Sequence, residues 1–254
     1  TTQRLCTKKE VAMSDLDRQR NSYSQSEPWS VRGGVGAQPL TAADASVSDR
    51  IAFIRKVYAL FFAATLFAIG GVLLGLAFPP LMVFAVEHPI IMFIAMIGGV
   101  IGAQAVRHVP GVNLAALFGF TTLTGAIISP VLYVISRTNP GSILQAGVMT
   151  VAIFGGLTAY VFVSRRDFSF LRGMVTVGLV VVIGAGLINI FVGSLGLGFA
   201  ISTAALLLFA GFVLYDTSNI IRRYPTNEYV AAALSLYLDA FNIFLALLRI
   251  LNRR

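Results

Sequence analysis

The sequence predicts an all-α integral membrane protein: a seven-transmembrane-helix bundle with the last helix central. Three observations carry that reading. Of 254 residues, 57% are hydrophobic and only 12% charged, where a soluble domain carries about 25% charged residues. Mean hydropathy is +0.82. The apolar residues come in runs near the roughly 20 residues that one crossing needs, separated by turn-forming residues or short charged loops.

Residues 1–49 form the first unit. Thr1 to Ser48 is rich in Gln, Ser, Asp, Arg and Gly and lacks an apolar period, the composition of a disordered cytosolic tail. Its polarity argues against a cleavable signal peptide. Met13 is an alternative start, and the lone Cys6 can form no internal disulfide. Residues 50–254 form the membrane domain. Arg50, Arg55 and Lys56 give way abruptly to the uncharged run Val57–Val86.

Seven spans fit: Val57–Phe78, Pro89–Val106, Val112–Ile135, Ser142–Val163, Leu171–Val192, Leu197–Ile220 and Tyr229–Ile250. The breaks fall at Pro79-Pro80, Pro89, Pro110-Gly111, Asn139-Pro140-Gly141, Arg165-Arg166-Asp167 and Gly193–Gly198. Gly173 to Tyr215 contains no charge, and its length needs two crossings, so it is cut at the glycine cluster. The spacings Gly71…Gly75 and Gly98…Gly102 suit close helix packing.

The net charge of +8 would suggest nucleic acid in a soluble protein. Here the bases sit in the tail and in short loops, the positive-inside pattern, so the partner is the lipid bilayer and no nucleic acid is expected. With the N-terminus cytoplasmic, nine basic residues lie inside: Arg50, Arg55, Lys56, Arg107, Arg165, Arg166, Arg172, Arg222 and Arg223. Four lie outside: Arg137, Arg249, Arg253 and Arg254. The three C-terminal arginines run against the rule, and a re-entrant last segment is the alternative. The polar tail and small size fit a bacterial inner membrane better than an organelle.

Two aspartates sit inside apolar helices. Asp216 closes the run Leu197–Tyr215, and Asp239 interrupts Tyr229–Leu248 with no basic residue within a turn. A carboxylate at bilayer depth costs about 2.5–3.5 kcal/mol on lenient insertion scales, so it faces a bundle interior or aqueous cavity. The short connection Arg222–Glu228 makes the two runs an antiparallel hairpin. Counted from Thr226, Asp216 lies ten residues back and Asp239 thirteen on, a depth difference of roughly 4.5 Å. They can be neighbours, and two carboxylates in a dry interior are expected to share a proton. The competing readings are a hydrogen-bonded structural carboxylate for Asp239, and solvation or pairing with Arg222 or Arg223 for Asp216.

Other polar residues carry less. Asp167 and Glu228 read as loop charges, and His88 and His108 as solvated. Tyr215, Tyr224, Tyr229 and Tyr237 read as belt and packing residues. With no Gly-rich phosphate loop and no Cys/His cluster, no cofactor is expected.

The stretch EYVAAALSLYLDAFNIFLALLRIL from Glu228, the preceding GFVLYDTSNII, and SRRDFSFLRGM after a span containing AGVMTVAIFGG together resemble the Bax inhibitor family, also called the transmembrane Bax-inhibitor-motif family. The resemblance runs from about Ile51 to the C-terminus. It implies a non-enzymatic seven-span protein linked to stress survival and to pH-sensitive calcium leak. Asp216 of YDT and Asp239 of LYLD would be its proton sensor, lie along the ion path and hold Ca2+ weakly and transiently. Arg107 would be a latch on the pair. Some bacterial members bind a membrane-anchored AAA protease, which makes a non-conducting adaptor of such a protease or of cell-death machinery the alternative. An intramembrane aspartyl protease also places YD and a second aspartate on successive helices. Asp239 here lacks the glycine flank and the following Pro-Ala-Leu such enzymes use.

Overall fold

The structure, a computed structural model, describes residues 41–252 apart from Asp44. The tail, with Cys6 and Met13, lies outside the described residues, as do Arg253 and Arg254. Among the described residues the chain is helical: α1 (Val47–Ala77), α2 (Pro79–Glu87), α3 (Pro89–Ala105), α4 (Val112–Thr138), α5 (Pro140–Ser164), α6 (Leu171–Val192), α7 (Leu195–Arg222) and α8 (Tyr229–Leu251). Six of these are each long and apolar enough to cross a membrane, and α2 with α3 supplies a further apolar length bent by 97°. The chain is an integral membrane protein.

Each helix begins where its sequence can satisfy or dispense with the first free amides. Ser46 caps α1 by accepting from the Asp49 amide at 3.2 Å, and Ser194 caps α7 by accepting from Leu197 at 3.3 Å. Helix α1 starts ten residues before its apolar run, so its first turns carry Asp49, Arg50, Arg55 and Lys56. Pro79-Pro80, Pro89 and Pro140 open α2, α3 and α5 at their first positions, where a missing N–H is harmless. Pro79-Pro80 was expected to mark a break. It does end α1, but it also starts the short helix α2 in what the hydropathy leaves as a loop. The α6–α7 break is narrower than the glycine cluster: Gly193 turns the chain at φ 64°, and Gly196 and Gly198 lie within α7.

Pro130 sits inside α4 and cannot bond the carbonyl of Ala126. The Ser129 hydroxyl donates to that carbonyl instead, at 2.7 Å. In hydrocarbon this substitution matters, because no water is at hand to take the freed oxygen.

Helix α8 packs against α1, α4, α5 and α7. Of its most apolar window 67% is buried within the protein, against 6% for α6, which packs chiefly on α7. Two ends are distinct. At one, α8 closes on the α4–α5 connection: the Asn252 side-chain oxygen Oδ1 accepts from Asn139 Nδ2 at 3.3 Å and Ser142 Oγ at 3.0 Å. At the other, the ends of α3, α5 and α7 meet the starts of α1, α4, α6 and α8.

The tightest crossing is α1 on α4. A Cβ on Gly71 would lie 2.0 Å from the Thr122 carbonyl oxygen, and one on Gly125 would lie 1.9 Å from that of Ala68. Gly75 meets Ser129 in the same groove. Backbones touch here because the side chains are absent. The other small pair behaves differently: Gly98 and Gly102 have nothing within 4 Å, while Gly99 packs on Phe120. The four-residue spacing was right for α1 and one residue off for α3.

Gly125→Ala therefore forces α1 and α4 apart and should cost about 1–3 kcal/mol, read as a lower thermal midpoint in detergent. Gly119→Ala on the same helix has open space around it and should be neutral or slightly stabilising. Equal midpoints for the two variants would remove the crossing as a stability determinant.

Candidate functional site

Helices α7 and α8 form the hairpin that the spacing anticipates, joined through Arg223–Glu228. From the observed helix ends, Asp216 lies six residues inside α7 and Asp239 ten residues inside α8. The difference of four residues is about 6 Å along the axis. The two carboxylates are close enough that the charge of Asp216 bears on Asp239.

Their surroundings differ. Asp216 is half-buried. Asp239 is 3% exposed, the one fully buried carboxylate among the described residues, and its Oδ2 has no hydrogen-bond partner. A buried oxygen left without a donor is costly, and such groups concentrate where they serve a purpose other than stability. Tyr237, two residues earlier, is buried as well, and its hydroxyl meets Thr124 of α4 at 2.5 Å. Of the expected belt and packing tyrosines it is a packing one.

The arginines beside Asp216 are engaged elsewhere. The Arg222 guanidinium donates to the carbonyl of Arg165, and Arg223 pairs with Asp167 at 2.9 Å. Both ties fasten the end of α7 to the α5–α6 loop. Phe168 adds a third, its amide donating to Ser218 Oγ at 3.1 Å. Asp167 accepts from the Ser169 backbone amide and then from Arg223, which holds its carboxyl below the usual range.

Arg107 lies where the second span ends, at the same end of the protein as the hairpin loop. Its ion-pair partner is Glu228, with Nε 3.9 Å from Oε2, and its Nε also donates to His108 Nε2 at 3.0 Å. His108 Nε2 is 3.8 Å from Glu228 Oε1. Glu228 is thus not an ordinary loop charge: its side chain is 16% exposed and draws Arg107 onto the first residue before α8, with His108 accepting from Arg107 beside it. Hydropathy gives no sign of this, because the partners lie over a hundred residues apart. Lys56 of α1 sits over the Tyr229 ring, 5.5 Å from its centre, beside that pair.

The loop has two further ties. Tyr224 Oη lies 3.3 Å from Ser235 Oγ. Burial, and to a lesser degree the nearby carboxylates Asp216 and Glu228, push its phenol up to about 12. The chain before α1 docks on the same loop: Ala42, with no exposed surface, donates its amide to the Tyr224 carbonyl at 2.9 Å, and Thr41 forms a bridge with Pro225.

Among the described residues no group of three or more His, Cys, Asp or Glu gathers in metal-binding geometry. The two aspartates supply at most four carboxylate oxygens, short of the six to eight that a stable Ca2+ site requires. Any cation held here would complete its shell with carbonyls or water.

Similarity to known proteins extends along the whole membrane domain and not only around Asp216 and Asp239. The family model described as inhibitor of apoptosis-promoting Bax1 matches residues 50–254. Protein lifeguard 4 of Mus musculus is 37% identical over 213 residues, 83% of this chain and 88% of the mouse protein. The Golgi anti-apoptotic protein of vaccinia virus (strain Lister) is 35% identical over 215 residues, 84% of this chain and 90% of the viral one. An uncharacterized protein of Helicobacter pylori is 35% identical over 208 residues, covering 81% and 88%. The chain belongs to the Bax inhibitor family.

Proposed function

We propose that this protein is a pH-sensitive leak pathway for calcium, gated at the Asp216–Asp239 pair and linked to stress survival. It crosses a bacterial inner membrane seven times, with α2 and α3 as one bent crossing, α8 central and the N-terminus cytoplasmic. The observation that carries the reading is Asp239: a buried carboxylate with an unpartnered oxygen, on the most enclosed helix, within electrostatic reach of a second carboxylate. That arrangement contributes little to stability and suits a transient cation or a proton.

Arg107 is the latch, acting on the hairpin through Glu228, its partner at 3.9 Å. While the aspartate pair is ionised, its charge adds to the attraction that holds Arg107 at the cytoplasmic mouth. Protonation of the pair weakens that attraction and frees the mouth. Calcium binding prefers ionised carboxylates, so gating and conduction pull in opposite directions, and leak rises on mild acidification and then falls. The Asp167–Arg223 tie does not take part in this. A carboxyl held below its usual range loses its pair only as pH falls through that lowered value, so the α5–α6 loop stays fastened under mild acid.

A second reading is an adaptor without conduction, acting on cell-death machinery or a membrane-anchored AAA protease. The name of the vaccinia relative, Golgi anti-apoptotic protein, favours it. Calcium flux in proteoliposomes separates the two. Asp239→Asn keeps the side-chain volume and should lower leak roughly tenfold, equivalent to about 1.4 kcal/mol of lost cation attraction, and flatten its pH profile. An unchanged, pH-dependent leak takes Asp239 out of the mechanism; no leak in the wild type leaves the adaptor.

Arg107→Ala and Glu228→Gln should each raise leak at neutral pH several-fold and blunt the acid-induced rise. Wild-type leak in both variants makes Arg107 an orientation anchor only.

Infrared carboxyl bands followed over pH should show Asp216 and Asp239 titrating as one coupled system, with Asp216→Asn collapsing two steps into one. Two independent titrations, each unaltered by loss of the other residue, rule out the shared proton.

A further inference from the structure

Three hydroxyl groups near Asp216 have no hydrogen-bond partner although their oxygens are buried: Tyr58 of α1, Thr158 of α5 and Thr217 of α7. They converge. Thr217 and Thr158, from two other helices, lie close enough for their hydroxyls to interact with the Tyr58 phenol, but no pair of the three oxygens completes a hydrogen bond of full geometry. The Phe162 ring lies against Tyr58 at 6.2 Å between ring centres.

The behaviour of the two threonines is unusual for this chain. A helical threonine readily satisfies its hydroxyl by donating to the carbonyl four residues back. Thr65, Thr122, Thr150, Thr176 and Thr203 all do so, at 2.7–3.0 Å. Thr158 and Thr217 do not, and Thr217 has no exposed surface. Two hydroxyls that decline their local acceptor, facing a third from another helix, form a polar spot in an apolar bundle.

We infer that Tyr58, Thr158 and Thr217 form a binding site for one ordered water molecule. A buried water makes about three hydrogen bonds to otherwise unpaired polar groups, the number of hydroxyls present. Each hydroxyl can both donate and accept, as water requires. A cation fits less well: the three neutral oxygens bring no charge, and hard cations take six or more ligands. Thr217 directly follows Asp216 on α7, so the water extends the polar layer of the aspartate pair towards α1 and α5. The site stands whether or not the protein conducts calcium.

Radiolytic hydroxyl labelling in lipid nanodiscs tests it, because bound water is the source of radicals at a buried side chain. Phe61 and Phe154 are the internal controls. They are buried and stack on each other at 4.9 Å across α1 and α5. Corrected for intrinsic reactivity, Tyr58 should be oxidised at least ~3-fold faster than either. Thr158→Val with Thr217→Val should bring it down to their rate in protein that remains monodisperse. Wild-type Tyr58 labelled no faster than Phe61 overturns the site without any variant. So does labelling unaltered by the double substitution, or by Thr158→Val alone where the double variant does not fold. Labelling that falls when calcium is added would assign the spot to a cation and overturn the water.

Discussion

The cost of enclosing a carboxylate in hydrocarbon is the constraint on which the rest of this structure depends. Asp239 cannot be left against lipid, so the helix that carries it must be surrounded. Helix α8 accordingly packs on four others, and small residues around it make that possible: Ala231, Ala232 and Ala233 are all buried at its start. The outer helices are the counterpart. Helix α6 leaves Val177, Val180, Ile190 and Phe191 outward, as a helix facing acyl chains should. A protein that sheltered no charge could have shared its burial evenly; this one concentrates it on a single helix.

Polar satisfaction follows the same logic away from the centre. Where a backbone or side-chain group loses its usual partner, a neighbour replaces it, as Ser129 does at Pro130. At the end that carries the α7–α8 loop the replacements become ionic: Arg223 to Asp167, and Arg107 to Glu228. Exposed pairs such as these contribute little stability singly. They matter because they decide which loops move together. One set joins α7 to the α5–α6 loop, the other joins the α3–α4 turn to the start of α8.

Much of this was legible in the sequence, for identifiable reasons. Hydropathy located the long helices because burial in lipid leaves little freedom of composition, and charge-free length required the break near Gly193. The depth match of Asp216 and Asp239 needed only a constant helical rise and a short loop. Proline was ambiguous: Pro79-Pro80 ends one helix and begins another, and nothing local says whether the next nine residues coil. Glycine was ambiguous too, since Gly71 and Gly98 share a spacing but only Gly71 meets a partner. Least legible were the choices among partners. Arg107 could have met Asp216 or Glu228, and Arg223 could have met Asp216 or Asp167. Those outcomes depend on how loops from distant parts of the chain are brought together, which no single-helix pattern records. The convergence of Tyr58, Thr158 and Thr217 is invisible for the same reason.

The docking of Ala42 and Thr41 on Tyr224 and Pro225 closes the chain into a ring through two backbone contacts. The strand of chain about to enter the first helix is buttoned to the turn between the last two. A hydrogen bond of 2.9 Å tolerates only a few tenths of an ångström before it weakens. The first helix therefore cannot slide along its axis without either dragging the final turn with it or undoing the button. A pull on the chain just before the first helix is thus felt, for as long as those contacts last, at the turn between the two helices that hold the acids.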